Sequence, residues 1–552
     1  MVANGTAIVT VPATMEPFEH ALLLLLAIAG LSVVSGLVPL PRPIVFVLGG
    51  VALAFVPGFP VIELDPGFFF LCFLPPLLFS DGWLMPLREF REARWAILFL
   101  ATGLVVLTTA IIGVVAHGLV QGLSWPMAFA LGAVISPTDA VAVEAITSRL
   151  KLPRRITAVL RGESLMNDAT GLVAFKFALA AAVAGTFSLR DAVMQFVVLA
   201  AGGLAVGLGV AYVVGLLRDV LGKGRRSDPL IEITLSLLTP YAAYLCGEAV
   251  HVSGVLSIVA AGLYSGWRDP VSMSPETRQL TWSVWQAVLF WLNGIVFVLL
   301  GLQFPQLVSA VAGAYSWPQL IGYALTISAV AVAVRVGWFF PGAYLPFVFS
   351  RRIRESERRP SWRSVLVAAW GGVRGAVTLA AALSIPMTLA GGAEFPGRSV
   401  VIFLSFAVIA TSLLAQGATA GGLIHWLGLG NDGEGDQEEL MARTEAVRAG
   451  LAALREIAPQ LTRSEHNAAL GHVVAEYEQR LAELVDEGPG RADAHERRTG
   501  ERRYRLAALE AERRALDELW TSRRITDEVH RPLQHLLDHE ETMLRDSRPV
   551  PE

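Results

Sequence analysis

Charge is scarce in this chain: of 552 residues only 17% are Asp, Glu, Lys or Arg, against roughly a quarter in a soluble globular protein. Cysteine is nearly absent. Cys72 and Cys246 both lie in apolar runs, which excludes a disulfide framework and offers no metal-ligand spacing, so both read as small buried hydrophobes. No Lys or Arg precedes Arg42, while Glu16 and Glu19 are acidic. The basic n-region of a secretory signal is therefore missing, and the first apolar run is expected to persist as a membrane helix. No His-Glu-x-x-His occurs, and none of the four histidines of the apolar part (His20, His117, His251, His425) lies near the carboxylate cluster at Glu163 and Asp168, so a membrane-embedded enzyme is a remote reading.

What is present is hydrophobicity, 54% of residues with a mean hydropathy of +0.53. The charge that exists is segregated. Residues 432–552 hold 18 Arg against 27 Asp and Glu, a net of −9, and the first 431 residues carry +5. An acidic tail gives no footprint for nucleic acid. The domains are thus expected at 1–431, a transmembrane body, and 432–552, a helical tail. Thirteen apolar stretches of about 20 residues, enough to cross ~30 Å of hydrocarbon, fall near 20–40, 43–60, 67–82, 95–120, 124–147, 155–185, 191–217, 229–246, 252–267, 283–302, 316–345, 364–390 and 398–427. With the N-terminus outside, twenty Lys and Arg fall in inner loops and only Arg190 and Arg398 in outer ones, the bias of the positive-inside rule. This predicts an all-α polytopic membrane protein of about 13 helices with a cytoplasmic C-terminal tail.

An odd count suits two halves of six spans joined by a linker span. The fifth span of each half is interrupted beside a charge: Ser136-Pro137-Thr138-Asp139 in the first, Gly371-Gly372-Val373-Arg374-Gly375 in the second. Paired broken helices at corresponding positions are the mark of inverted-repeat transporters, whose site lies near the midplane. The tail reads as charged helix, with Leu451, Leu454 and Ile457 and then Leu506, Leu509, Leu516 and Leu519 at helical spacing, broken at Glu487-Gly488-Pro489-Gly490.

Ionisable side chains at membrane depth cost at least ~2.5–3.5 kcal/mol each, so each needs a reason. The sixth span reads Arg161-Gly162-Glu163-Ser164-Leu165-Met166-Asn167-Asp168. Glu163 with Asn167, and Ser164 with Asp168, are i,i+4 pairs on adjacent stripes. Asp168 lies ~18 Å into the span, near the bilayer centre. A small hard cation such as Na⁺ takes carboxylate, hydroxyl and carbonyl oxygens, which Asp168, Ser164 and the freed backbone at Thr138 and Asp139 can supply. Burial penalises a carboxylate's charged form, so Asp168 can hold a proton or a cation but not comfortably both. Glu163 is expected to pair with Arg374 and tie the halves together, and Asp139 to neutralise half-helix N-termini at the crossing. Lys176 is expected to snorkel outward. Arg335, Glu144 and Glu232 read as structural charges whose partners stay open.

Together, Ser136 to Asp139, Gly162 to Asp168 and Gly372 to Gly375 resemble the cation/proton antiporter-1 family of Na⁺/H⁺ exchangers, bacterial NhaP-type members among them. The resemblance covers about residues 20–427. It implies that Asp168 binds Na⁺ and H⁺ alternately, that Ser164 and Thr138/Asp139 resemble co-ligands, and that Asn167 organises the crossing beside a Glu163–Arg374 pair. It also implies a homodimer in a bacterial inner membrane, no cofactor beyond the transported ions, and electroneutral 1:1 exchange, since Asn-Asp stands where electrogenic relatives have Asp-Asp. One departure stands out. Many family members carry Glu directly after the Leu-Pro-Pro-Leu-Leu-Phe run, whereas here Ser80-Asp81 follows Leu74 to Phe79. Either Asp81 reaches in from ~100° around the helix or that ligand is absent. The expected function is Na⁺/H⁺ antiport by alternating access. The alternatives are K⁺ as the working cation or a channel without proton coupling.

Overall fold

A computed structural model describes residues 16–38, 40–57, 59, 66–139, 154–184, 189–222, 228–349, 351, 359–388, 395–428, 434–457, 464–485 and 490–546. These residues are helical with short connections, and no β-strand occurs among them. The chain forms two compact units, 1–430 and 431–552.

Each of the thirteen expected stretches contains helix. Eight hold a helix long and apolar enough to cross a membrane by length and composition. Arg42–Ala54, Phe70–Trp83 and Trp125–Ile135 are apolar but shorter, Gly254–Ser272 carries Arg268 and Asp269 in its last two turns, and the stretch 362–383 is broken in two. The count of thirteen thus rests on the sequence pattern for those five.

The first unit packs as two bundles. One contains Glu16–Leu37, Arg42–Ala54, Leu74–Trp83, Leu189–Gly222, Pro229–Ala249, Gly254–Ser272 and Pro275–Leu302. Small residues let its helices close on one another: a β-carbon on Gly50 or Gly301 would collide with the backbone of the facing helix, the close approach that drives association where lipid replaces water. The second bundle contains Leu87–Leu119, Trp125–Ile135, Arg154–Ala184, Trp317–Phe349, Trp362–Trp370, Ala376–Leu383 and Arg398–Trp426. Contacts between the bundles are sparser than within them.

The breaks form where the sequence places them. Helix Trp125–Ile135 stops before Pro137, which has no backbone N–H to continue the helical hydrogen bonds. Trp362–Trp370 stops at Gly371, and Ala376–Leu383 resumes after Gly375. The unwound stretches lie side by side, with the Asp139 amide donating to the Val373 carbonyl at 2.8 Å. Residues 140–147 of the first broken span, Glu144 included, lie outside the described residues. The cysteines depart from expectation: Cys72 is half-buried and Cys246 exposed on its helix surface, because an apolar run that faces lipid has no need to turn its thiol inward.

Among the described residues the tail unit holds four helices, two before and two after the expected break, whose residues 487–489 lie outside the described ones. Glu434–Ile457 packs against Ser464–Val485, and Gly490–Thr521 against Asp527–Asp546. Leu451, Leu509 and Leu516 are buried. Arg513 bridges Asp538 at 2.7 Å and Glu541 at 2.6 Å, and His530 bonds Asp517 at 3.0 Å while stacking on Trp520.

Candidate functional site

The helix Arg154–Ala184 carries two carboxylates five residues apart, Glu163 and Asp168, and the structure treats them differently. Glu163 is saturated. Arg335 donates to it bidentately, Nη1 to Oε1 at 2.7 Å and Nη2 to Oε2 at 2.8 Å. Asn167 Nδ2 donates to Oε1 at 2.9 Å, and the Thr138 hydroxyl at 3.3 Å. Asn167 also donates to the Thr138 hydroxyl oxygen at 2.9 Å and accepts from the Thr138 amide at 3.4 Å. The Ser164 hydroxyl donates to the Thr138 carbonyl at 2.5 Å. A buried polar network of this kind is specific because nearly every member is satisfied.

Asp168 is the exception. It is 5% exposed, and its carboxylate makes no hydrogen bond or ion pair among the described residues. The charges that act on it are Asp139, Asp81 and Glu163.

The expected Glu163–Arg374 pair does not form; Glu163 belongs to Arg335. Charge neutrality required only that some arginine meet Glu163, and the tertiary fold supplies the one on Trp317–Phe349. The two arginines instead cap the two breaks. Arg335 Nε donates to the Ala369 carbonyl at 3.0 Å, near the end of Trp362–Trp370. Arg374 donates from Nε to the Ile135 carbonyl at 3.2 Å, the last residue of Trp125–Ile135, and from Nη1 to the Gly372 carbonyl at 2.5 Å. The Arg374 amide donates to the Ser412 hydroxyl at 3.1 Å. A cation at the carbonyl end of a helix is stabilising, and these ends are orphaned by the breaks. The complementary charge stands at the opposite end: the Asp139 side chain lies against Gly375, the N-cap of Ala376–Leu383, in the space a β-carbon there would occupy. Gly372 likewise leaves room for the Arg335 side chain.

Thr138, Asp139, Glu163, Ser164, Asn167, Asp168 and Arg374 are therefore brought to the crossing, and sequence reasoning missed Arg335 as its central cation. Asp81, on Leu74–Trp83 of the other bundle, is half-buried and acts electrostatically on Asp168. Lys176 lies on an exposed face, 3.9 Å from Glu248.

The transmembrane sodium/hydrogen exchanger model matches residues 22–426. Over 408 residues the chain is 40% identical to the sodium, potassium, lithium and rubidium/H⁺ antiporter of Bacillus pumilus (strain SAFR-032), covering 72% of this chain and 60% of that relative's length. It is 35% identical over 550 residues to the uncharacterized Na⁺/H⁺ exchanger YjcE of Escherichia coli K12, covering 96% of this chain and 99% of that one. The solved sodium proton antiporter MjNhaP1 of Methanocaldococcus jannaschii shares the fold, with a TM-score of 0.58 at 20% identity over 75% of this chain and 99% of its own. With its crossed broken helices, its apolar spans and this similarity along most of its length, the chain belongs to the sodium/hydrogen exchanger family, a group of multi-pass membrane transporters.

Proposed function

We propose that the protein exchanges a monovalent cation for a proton, one for one, by alternating access at Asp168. The observation that carries this reading is the contrast on one helix: Glu163 accepts from three side chains, and Asp168, also buried, from none among the described residues. A proton on Asp168 neutralises it directly. A cation does so with help from oxygens beside it. The Ser164 hydroxyl and Thr138 carbonyl, now bonded to each other, both turn lone pairs to the ion once the hydroxyl proton rotates away. Asp139 and Asp81 are the further oxygen donors of this reading. Because one carboxylate serves both ligands, the loaded site has the same charge either way, which makes exchange obligatory and electroneutral.

In this reading the bundle holding the crossing moves against the other, across the interface where packing is sparse. The protein spans a bacterial inner membrane thirteen times, with its N-terminus outside and its tail in the cytoplasm, and works as a homodimer. K⁺ is the rival cation, because the Bacillus pumilus relative is named for sodium, potassium, lithium and rubidium. Purified protein in liposomes with an imposed pH gradient, reported by a pH-sensitive dye, tests both. Dissipation on adding Na⁺ or Li⁺ supports the reading, dissipation by K⁺ as well widens the substrate, and no response to any of the three refutes it.

A further inference from the structure

The last apolar helix, Arg398–Trp426, does not continue as α-helix throughout: Leu413–Gly417 forms a π-helical turn. Such turns are rare and are frequent at functional sites. The buried polar side chain of this one is Gln416. It is 1% exposed, and neither its Oε1 nor its Nε2 has a hydrogen-bond partner among the described residues. A buried primary amide with both poles unused is costly, and Met or Leu would fill a similar volume without that cost.

Its neighbours place it. Ser412, one turn earlier, accepts the Arg374 amide at 3.1 Å, and Thr419, one turn later, accepts the Trp370 indole at 3.1 Å. These residues hold the two sides of the unwound stretch, and Gln416 lies between the two anchor points. The π turn also packs against Arg42–Ala54, a helix of the other bundle. Gln416 therefore sits where the crossing is held and where the two bundles meet.

We propose that Gln416 is a positioning residue of the exchange cycle, its amide unpaired in this access state and hydrogen-bonded in the other. The inference rests on the alternating-access reading above. When the π turn shifts along Arg42–Ala54, the amide gains partners that it lacks here, so it lowers the cost of leaving the present state. A group satisfied in one state and not in the other shifts the equilibrium by that difference.

The test is Gln416→Met, beside Gln416→Asn, purified and reconstituted. The Met variant should melt at a higher temperature than the unaltered protein, because it removes an orphan without breaking a bond. Its maximal exchange rate should fall about fivefold or more with the cation KM within twofold, and the Asn variant, which keeps the amide, should regain most of the rate. Unchanged turnover in the Met variant overturns the proposal. So does a Met variant that is less stable or fails to fold, since the amide would then already be bonded, through water, in this state. Absence of exchange by the unaltered protein would instead remove the reading on which the proposal rests.

Discussion

Replacing Arg335 by Leu should damage this protein more than replacing Arg374, although both arginines are buried beside the crossing. Arg335 and Glu163 each have side chains 1% exposed and meet bidentately. Removing Arg335 leaves an uncompensated buried carboxylate, a loss of about 3–5 kcal/mol, and also strips the Ala369 carbonyl of its donor. Removing Arg374 leaves the Ile135 and Gly372 carbonyls unpaired but strands no bonded carboxylate, at about 1–3 kcal/mol per group. The cycle that separates the cases adds Glu163→Leu to each. With Arg335→Leu the second change removes the stranded charge, so the double variant should be more stable than Arg335→Leu alone. With Arg374→Leu, which acts on Glu163 across the crossing but does not bond it, the coupling should be smaller. The assay is the midpoint of thermal unfolding of detergent-purified protein, with the yield of monodisperse material as a second reading. Stronger coupling of Glu163 to Arg374 than to Arg335 would refute the assignment of the pair.

Two further outcomes follow from the crossing. Ser164→Ala removes one oxygen of the proposed cation site while leaving the Asp168 carboxylate, so the cation KM in reconstituted exchange should rise roughly 5–30-fold, the equivalent of ~1–2 kcal/mol; an unchanged KM would remove Ser164 from the site. Gly375→Ala places a methyl group where the Asp139 side chain lies, so folded yield should drop sharply, and normal yield with normal transport would show that the two stretches do not meet as described.

The architecture was legible in the sequence wherever it depended on one-dimensional signals. Apolar runs mark helices because lipid demands them, and Ser136-Pro137 and Gly371-Gly372 mark breaks because proline and paired glycines interrupt helices. The Ser164 and Asp168 stripe needed only helical periodicity. The partner of Glu163 was not legible. Arg335 lies 172 residues away, and at the level of charge counting it is interchangeable with Arg374. What distinguishes them is which half-helix end each one reaches, a property of the crossing in three dimensions. The π turn at Leu413–Gly417 left no mark either, since its composition matches the α-helix around it. Short helices such as Arg42–Ala54 also show why span counting from hydropathy loses certainty in a fold with broken segments.

The central claim is that a cation and a proton compete for the single carboxylate of Asp168. The most direct test measures the cation KM of exchange in proteoliposomes as a function of pH, with Asp168→Asn as the control. Competition by one proton predicts that on the acid side KM rises about tenfold for each unit the pH falls, at constant maximal rate, and that the Asn variant folds but does not exchange. A KM that does not change with pH, or exchange that survives in the Asn variant, would contradict the account.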